Sequence, residues 1–317
     1  MNTDCAGARL DREQLLLTGA GGMTGQVICA SAADSLAVHA VSRRPRPAGL
    51  PASVCWHRAD LSTPDFVADL PRRIDHVVHL AQSPRFREFP EGAPDVFAVN
   101  VAAAALLLQW AVGAQARHFV LASTGSVYSP SAGRLRETDQ VTLGGVAGFY
   151  AASKMAAELI AAGYASIFSV VTIRPFYLYG RGQDSSMLIP KLVQSIRAGS
   201  TVKLTGEDGF LFTPTFVSDA AYAVLAALKL ADSRVVNIGG PEVLSLRTAC
   251  EIIGAAVGRS PVFERVDGKV QNLVPDLELM RSLLVAPAVR FDAGVRQLIS
   301  AAEEPAGEPA SRDAISS

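Results

Sequence analysis

Short apolar runs alternate with stretches of helical spacing through the first half of the chain. Leu15–Thr18 (LLLT) is an apolar run that stops at a glycine, and residues 22–33 can form a helix. Ala37–Ser42 (AVHAVS) reads as a second strand, Val54–His57 as a weaker third, His76–Leu80 (HVVHL) as a fourth and His118–Ser123 (HFVLAS) as a fifth. Helical patterns fall near 64–70, 92–114 and 149–165, and Ser169–Ile173 (SVVTI) makes a sixth strand. Apolar strands alternating with helices predict an α/β fold whose parallel sheet is covered on both faces. Right-handed crossovers make such a sheet doubly wound. Beyond about residue 180 Gly, Pro and Ser become frequent. Helices near 186–198, 218–230, 245–257 and 276–284 alternate with short strands there, as in a smaller lobe mixed with the last strands of the main sheet.

Composition adds limits. A chain of 317 residues suits one large α/β domain or a large domain with a smaller lobe. Lys+Arg 29 nearly balances Asp+Glu 30, so no basic excess points to nucleic acid or to an acidic membrane surface. Cys5, Cys29, Cys55 and Cys250 are far apart and make no metal-type spacing. The expectation is no metal and reduced thiols in a cytoplasmic protein. The N-terminus lacks an apolar signal-type segment. Val96–Ala114 is the most membrane-like window, but Asn100 and Gln109 interrupt it, and a buried helix is expected.

Leu15–Gly25 reads LLLTGAGGMTG. Gly19, Gly22 and Gly25 follow a strand and open a helix, with Met23 inside the turn. Gly19 permits a tight turn, Gly22 a close approach of backbone to a pyrophosphate, and Gly25 close packing of helix on strand. The helix N-terminus offers N–H donors to phosphates. This is a dinucleotide site in a Rossmann-type fold, with residues 13–180 as the binding domain. Residues 181–302 form mainly a substrate-binding lobe, which contributes later strands to the sheet, and residues 1–12 and 303–317 are flexible tails. The end of the second strand sets the choice of cofactor. An acidic residue there binds a ribose hydroxyl, but this chain has Ser42, Arg43 and Arg44. A guanidinium suits a 2′-phosphate, which favours NADP over NAD.

Tyr150-Ala151-Ala152-Ser153-Lys154 places Tyr and Lys four apart, on one face of a helix. A nearby ammonium lowers a phenol's pKa and fits tyrosine for acid/base work. The fifth strand ends in Ser123-Thr124-Gly125-Ser126, where a hydroxyl can hold a substrate oxygen beside the phenol.

These segments together resemble the extended short-chain dehydrogenase/reductase superfamily, the branch of NAD(P)-dependent epimerases, dehydratases and reductases. The matching stretches are TGAGGMTG (18–25), Asp60-Leu61, HLA (79–81), Asn100, STGSVY (123–128), YAASK (150–154), RPFYLYGRGQ (174–183), TFVSDAA (215–221) and NIGG (237–240). The resemblance implies that Asp60 and Leu61 contact adenine and that Leu80 and Ala81 line the cofactor, with Asn100 among its contacts. It also implies a triad of Thr124, Tyr150 and Lys154, with Lys154 holding the nicotinamide ribose and Pro175 and Phe176 flanking the nicotinamide. Gln82, Ser83, Ser126, Tyr177, Arg181 and Phe212 are the candidate substrate contacts.

Three departures narrow the expectation. Where sugar-nucleotide 4,6-dehydratases carry an Asp-Glu pair, this chain has Gly125 and Ser126, so that dehydration is not expected. Tyr177 replaces the usual Asn, and Phe212 stands where an Arg often grips a nucleotide diphosphate. Both changes argue for a less charged pocket. The expected function is an NAD(P)-dependent oxidoreductase or epimerase acting on a hydroxyl or carbonyl carbon of a sugar-like or other small molecule. A non-catalytic dinucleotide sensor or scaffold on this fold is the alternative, although both Tyr150 and Lys154 are present. A homodimer is expected, packed through the helix near 92–114 and the helix carrying YAASK.

Overall fold

The computed structural model describes residues 3–4, 12–141 and 148–303. Seven parallel strands form the main sheet: β1 (Gln14–Thr18), β2 (Ala37–Ser42), β3 (Cys55–Arg58), β4 (His76–His79), β5 (His118–Ala122), β6 (Ser169–Pro175) and β7 (Arg234–Ile238). Their spatial order is β3-β2-β1-β4-β5-β6-β7, and the two residues Thr3–Asp4 pair antiparallel with β3 at the edge. The order turns back between β1 and β4. That is the switch point where open α/β sheets bind ligands at the carboxyl ends of their strands.

The two-residue period of the strands divides the core. Leu15 and Leu17 of β1 point to one face, where they meet α1 (Met23–Ala32) through Ile28. Leu16 points to the other face, where α2 (Ala93–Gly113) brings Leu107 and Leu108, and α3 (Gly148–Ala162) brings Ala157. α2 is the only helix among the described residues long and apolar enough to cross a membrane. Here Ala103, Ala104, Leu107, Leu108 and Ala111 are buried against the sheet, so it serves as a core helix. Its turn at Ala98–Ala102 is a π-type bulge, a feature common near functional sites.

The lobe is built from α4 (Leu188–Ala198), α6 (Leu246–Val257) and α7 (Phe291–Glu303), beside the parallel pair Thr201–Thr205 and Val262–Val266. Its core holds Tyr179, Phe212, Phe216, Ile253 and Phe291. α5 (Val217–Ala227) instead packs with α1 under the main sheet. Two expected helices are shorter than their sequence pattern. The 64–70 segment is a single 3-10 turn at Pro64–Val67, and 276–284 forms helix mainly in the wide turn Met280–Leu284. α7 was not expected, although Phe291, Val295 and Ile299 recur at helical spacing and are buried. Cys29 and Cys250 are free and buried, whereas Cys55 is disulfide-bonded, against the expectation of reduced thiols throughout.

Candidate active site

A cleft of about 1360 Å³ runs along the carboxyl ends of the strands, from the turn after β1 to the lobe. Gly19 adopts φ +72°, and a Cβ there would lie 2.8 Å from the Ala81 nitrogen, so only glycine fits the turn. At Gly25 a Cβ would approach the Gly19 oxygen to 2.5 Å, so the helix packs closely on the turn after β1 rather than on the strand itself. Gly22 caps α1 without a side-chain hydrogen bond. The first-turn N–H groups therefore face the cleft as an anion site. Gly21 also matters: a Cβ there would meet the Ser42 hydroxyl at 2.7 Å.

Ser42, Arg43, Asp60 and Leu61 line the adjoining end of the cleft, and Met23 lines it beside the glycines. The Ser42 hydroxyl accepts from the Arg44 backbone N–H (3.1 Å). Asp60 accepts from the backbone N–H and hydroxyl of Ser62 (2.9 and 2.8 Å). Those bonds, with the Arg43 charge, hold its carboxyl below the usual range.

Leu80, Ala81, Gln82, Thr124, Ser126, Tyr150, Lys154, Pro175, Phe176 and Tyr177 line the middle of the same cleft. The Tyr150 phenol donates to Gln82 Oε1 (3.0 Å). Lys154 Nζ donates to the Ala122 carbonyl (2.9 Å), and burial pushes its pKa down to about 8 against the pull of the Glu158 carboxylate. Burial pushes Tyr150 up to about 12, with a hydrogen bond involving Thr124 working the other way. The expected lowering by Lys154 is therefore not what this structure holds. Desolvation of the phenol outweighs an ammonium that is turned to the strand carbonyl. Below this floor lies His79, fully buried and bonded to the Thr18 hydroxyl (2.7 Å). Desolvation, followed by the Lys154 charge, drives its pKa down to about 3.

Four expected contacts lie off the cleft. Asn100 is buried in the π bulge, where Oδ1 accepts from the Ser83 N–H and Nδ2 donates to the Ser153 hydroxyl, both at 2.9 Å. It ties the loop after β4 to the helix of Tyr150. Ser83 is fully buried, its hydroxyl donating to Asp95. Phe212 is in the lobe core, edge-on to Tyr177 at 5.0 Å. Arg181 is exposed outside the lining, while its neighbours Gly182 and Gln183 belong to it.

A buried network around Glu158, which no sequence motif marks, lies behind the cleft. Glu158 receives two bonds from Arg174 (3.0 and 2.6 Å) and a third from the Ser123 hydroxyl, next to Thr124. Arg174 also donates to the Tyr128 oxygen (2.6 Å), which donates to Asn237 Oδ1 (3.0 Å). Through these groups the ends of β5, α3, β6 and β7 are fixed to one another. The available signal was Glu158, four residues beyond Lys154 on the same helix face.

Residues 15–239 match the NAD dependent epimerase/dehydratase family. The chain belongs to that family. Among its epimerase relatives is a probable UDP-glucuronate 4-epimerase of Rhizobium meliloti (strain 1021), 27% identical over 254 residues and covering 70% of this chain and 73% of that one. A solved structure of MoeE5 in complex with UDP-glucuronic acid and NAD is 28% identical, with a TM-score of 0.78 over 92% of this chain and 99% of that chain. UDP-glucuronic acid 4-epimerase from Bacillus cereus, 22% identical with a TM-score of 0.77 over 92% and 99% of the two chains, shares the fold. As a member of this epimerase family, the chain is an NAD(P)-dependent enzyme acting at a hydroxyl or carbonyl carbon of a sugar-like substrate.

Proposed function

We propose that this protein is a 4-epimerase of a UDP-linked hexuronic sugar, with Tyr150 exchanging the proton of the hydroxyl that is inverted. The observation that carries this reading is the assembly of Thr124, Tyr150 and Lys154 in one cleft with the glycine turn. The relatives named UDP-glucuronate 4-epimerase support the substrate class. Buried in the lobe, Phe212 says nothing about how a diphosphate is held. Arg87, which lines the cleft and donates to Ser186 (3.1 Å), is the cation we assign to the substrate's anionic part.

The α1 N-terminus would hold the cofactor's pyrophosphate, Ser42, Asp60 and Leu61 its adenosine, and Lys154, Pro175 and Phe176 its nicotinamide end. When bound, the oxidised nicotinamide supplies a hydride acceptor and a positive charge beside the phenol. Thr124 holds the substrate oxygen against Tyr150, and Tyr150 takes and returns its proton. We assign NAD as the cofactor, revising the sequence expectation of NADP, because the MoeE5 complex holds NAD. Arg43, exposed at the end of β2 and lining the cleft, favours NADP as the second reading. We assign no dehydration. A Cβ at Gly125 would lie 2.7 Å from the Phe176 ring, so the dehydratase carboxylate has no room there.

We also propose a homodimer through α2 and α3, whose outer faces carry Phe97 (56% exposed) and Leu159 (70% exposed). Sedimentation at micromolar concentration tests this, and a monomer of 33.3 kDa overturns it.

Incubating the protein with UDP-glucuronic acid and NAD, and following the sugar by proton NMR, tests the activity. A second epimer forms with wild type and not with Tyr150→Phe. No epimer from any UDP-hexuronate would overturn the assignment.

A further inference from the structure

Away from the cleft, two imidazoles and one sulfur converge inside the sheet. His39 lies on β2, and Cys55 and His57 lie on the neighbouring β3, with His39 opposite Cys55 in register. All three are buried, and none lines the cleft. His39 Nδ1 and His57 Nε2 are 3.0 Å apart, and Cys55 Sγ is 3.3 Å from the same His57 nitrogen. Each of the three atoms lies within 4.8 Å of the other two. A hydrogen bond explains one of these approaches but not the convergence of all three.

We propose that His39, Cys55 and His57 form a binding site for a zinc-type divalent cation in the reduced protein. Zinc bonds of about 2.0–2.1 Å to nitrogen and 2.3 Å to sulfur, in a tetrahedron, set the ligands about 3.3 Å (N to N) and 3.6 Å (N to S) apart. The two approaches to His57 Nε2 open by about 0.3 Å each to reach that geometry, and the His39 to Cys55 side lies within 4.8 Å. The mixed imidazole and thiolate set suits zinc rather than magnesium or calcium.

A supporting contact is already in place. His39 Nε2 lies 2.9 Å from Gln14 Oε1, which fixes the proton on Nε2 and leaves the Nδ1 lone pair turned toward His57 and Cys55. His57 Nδ1 is buried without a hydrogen-bond partner among the described residues.

The sulfur of Cys55 is disulfide-bonded in this structure, so reduction gates the site. A small dithiol supplies two electrons and two protons and is itself oxidised to a disulfide. Cys55 is left as a thiol, and its proton departs as the metal binds.

The test uses the full-length protein, reduced with a phosphine and titrated anaerobically with Co²⁺. The expected result is one equivalent bound, with tetrahedral d–d bands and a thiolate-to-cobalt charge-transfer band, both displaced by Zn²⁺. Cys55→Ser removes the charge-transfer band, and Gln14→Ala weakens binding about 10- to 100-fold. Cys250→Ser, a buried free thiol elsewhere, leaves the spectrum unchanged. Should the variants fail to fold, wild type still decides. With Zn²⁺ present, alkylation of reduced Cys55, read by peptide mass mapping, is suppressed. No cobalt bound by the reduced protein overturns the proposal, as does a cobalt spectrum that survives Cys55→Ser or equal alkylation with and without zinc.

Discussion

Behind the cleft, Glu158 and Arg174 are buried together with a hydrogen bond on every side-chain nitrogen and oxygen, each residue also bonded to a neighbouring hydroxyl. At the β2–β3 side of the same sheet, His39 and His57 are buried with no carboxylate among their hydrogen-bond partners in the described residues, and one nitrogen of His57 is orphaned there. The first cluster carries opposite charges and compensates them internally. The second stays uncharged, because burial holds His39 down to about 4 and lowers His57 as well. A compensated cluster fixes geometry, here the end of β5 and the helix α3 that present Thr124 and Lys154. An uncompensated cluster keeps lone pairs available to a ligand. The two should therefore fail differently when disturbed.

The largest effect belongs to the group that the compensated cluster serves. Tyr150→Phe removes only the phenol oxygen, so turnover should fall by about 10²–10⁴-fold while cofactor affinity holds. Wild-type turnover in that variant would remove the phenol from the chemistry.

Next comes the cluster itself. Glu158→Ala leaves the Arg174 guanidinium buried and uncompensated, which costs about 3–5 kcal/mol of stability by urea unfolding. Adding Arg174→Met should recover much of that loss. A single variant as stable as wild type would show that the pair is not a buried, mutually dependent unit.

Sequence periodicity made most of this visible, for identifiable reasons. β1, β2 and β4–β6 are apolar because both faces of the sheet are covered, and the glycine turn shows because two of its positions admit no Cβ. Tyr150 and Lys154 were readable from their helical spacing. The Glu158–Arg174 network was not, because its partners come from separate elements brought together only by folding. The hydrogen-bond partners of Asn100 and Ser83 were hidden for a related reason. A polar residue beside a motif reads as a contact, and only the fold shows that Asn100 accepts from the Ser83 N–H and donates to the Ser153 hydroxyl. Phe212 was assigned to the pocket by its place in a motif, although its apolar side chain belongs to the lobe core.

The uncharged histidines give a smaller, pH-dependent effect. His39 sits near 4 and His79 near 3 when folded, against about 6.5 for the free side chain. As pH falls from about 6.5 toward these values, the unfolded chain binds protons that the folded chain refuses, so stability falls with falling pH. The loss is complete only below the folded values. His79→Gln should flatten the acid limb in urea unfolding at a series of pH values. An unchanged limb would mean that His79 does not titrate on unfolding.

Smallest is the effect at the cofactor's adenosine end. Arg43→Ala should weaken NADP more than NAD, because a guanidinium suits a 2′-phosphate, which NAD lacks. Titration of both cofactors against wild type and variant checks this, and equal losses would detach Arg43 from the 2′-phosphate.

The central claim is that the protein inverts a hydroxyl-bearing carbon and returns the hydride it removed. UDP-glucuronic acid deuterated at sugar C4 tests this most directly. The account predicts a product epimer that keeps its deuterium, with no net change in nicotinamide absorbance. Accumulation of reduced cofactor together with a released keto sugar would contradict it.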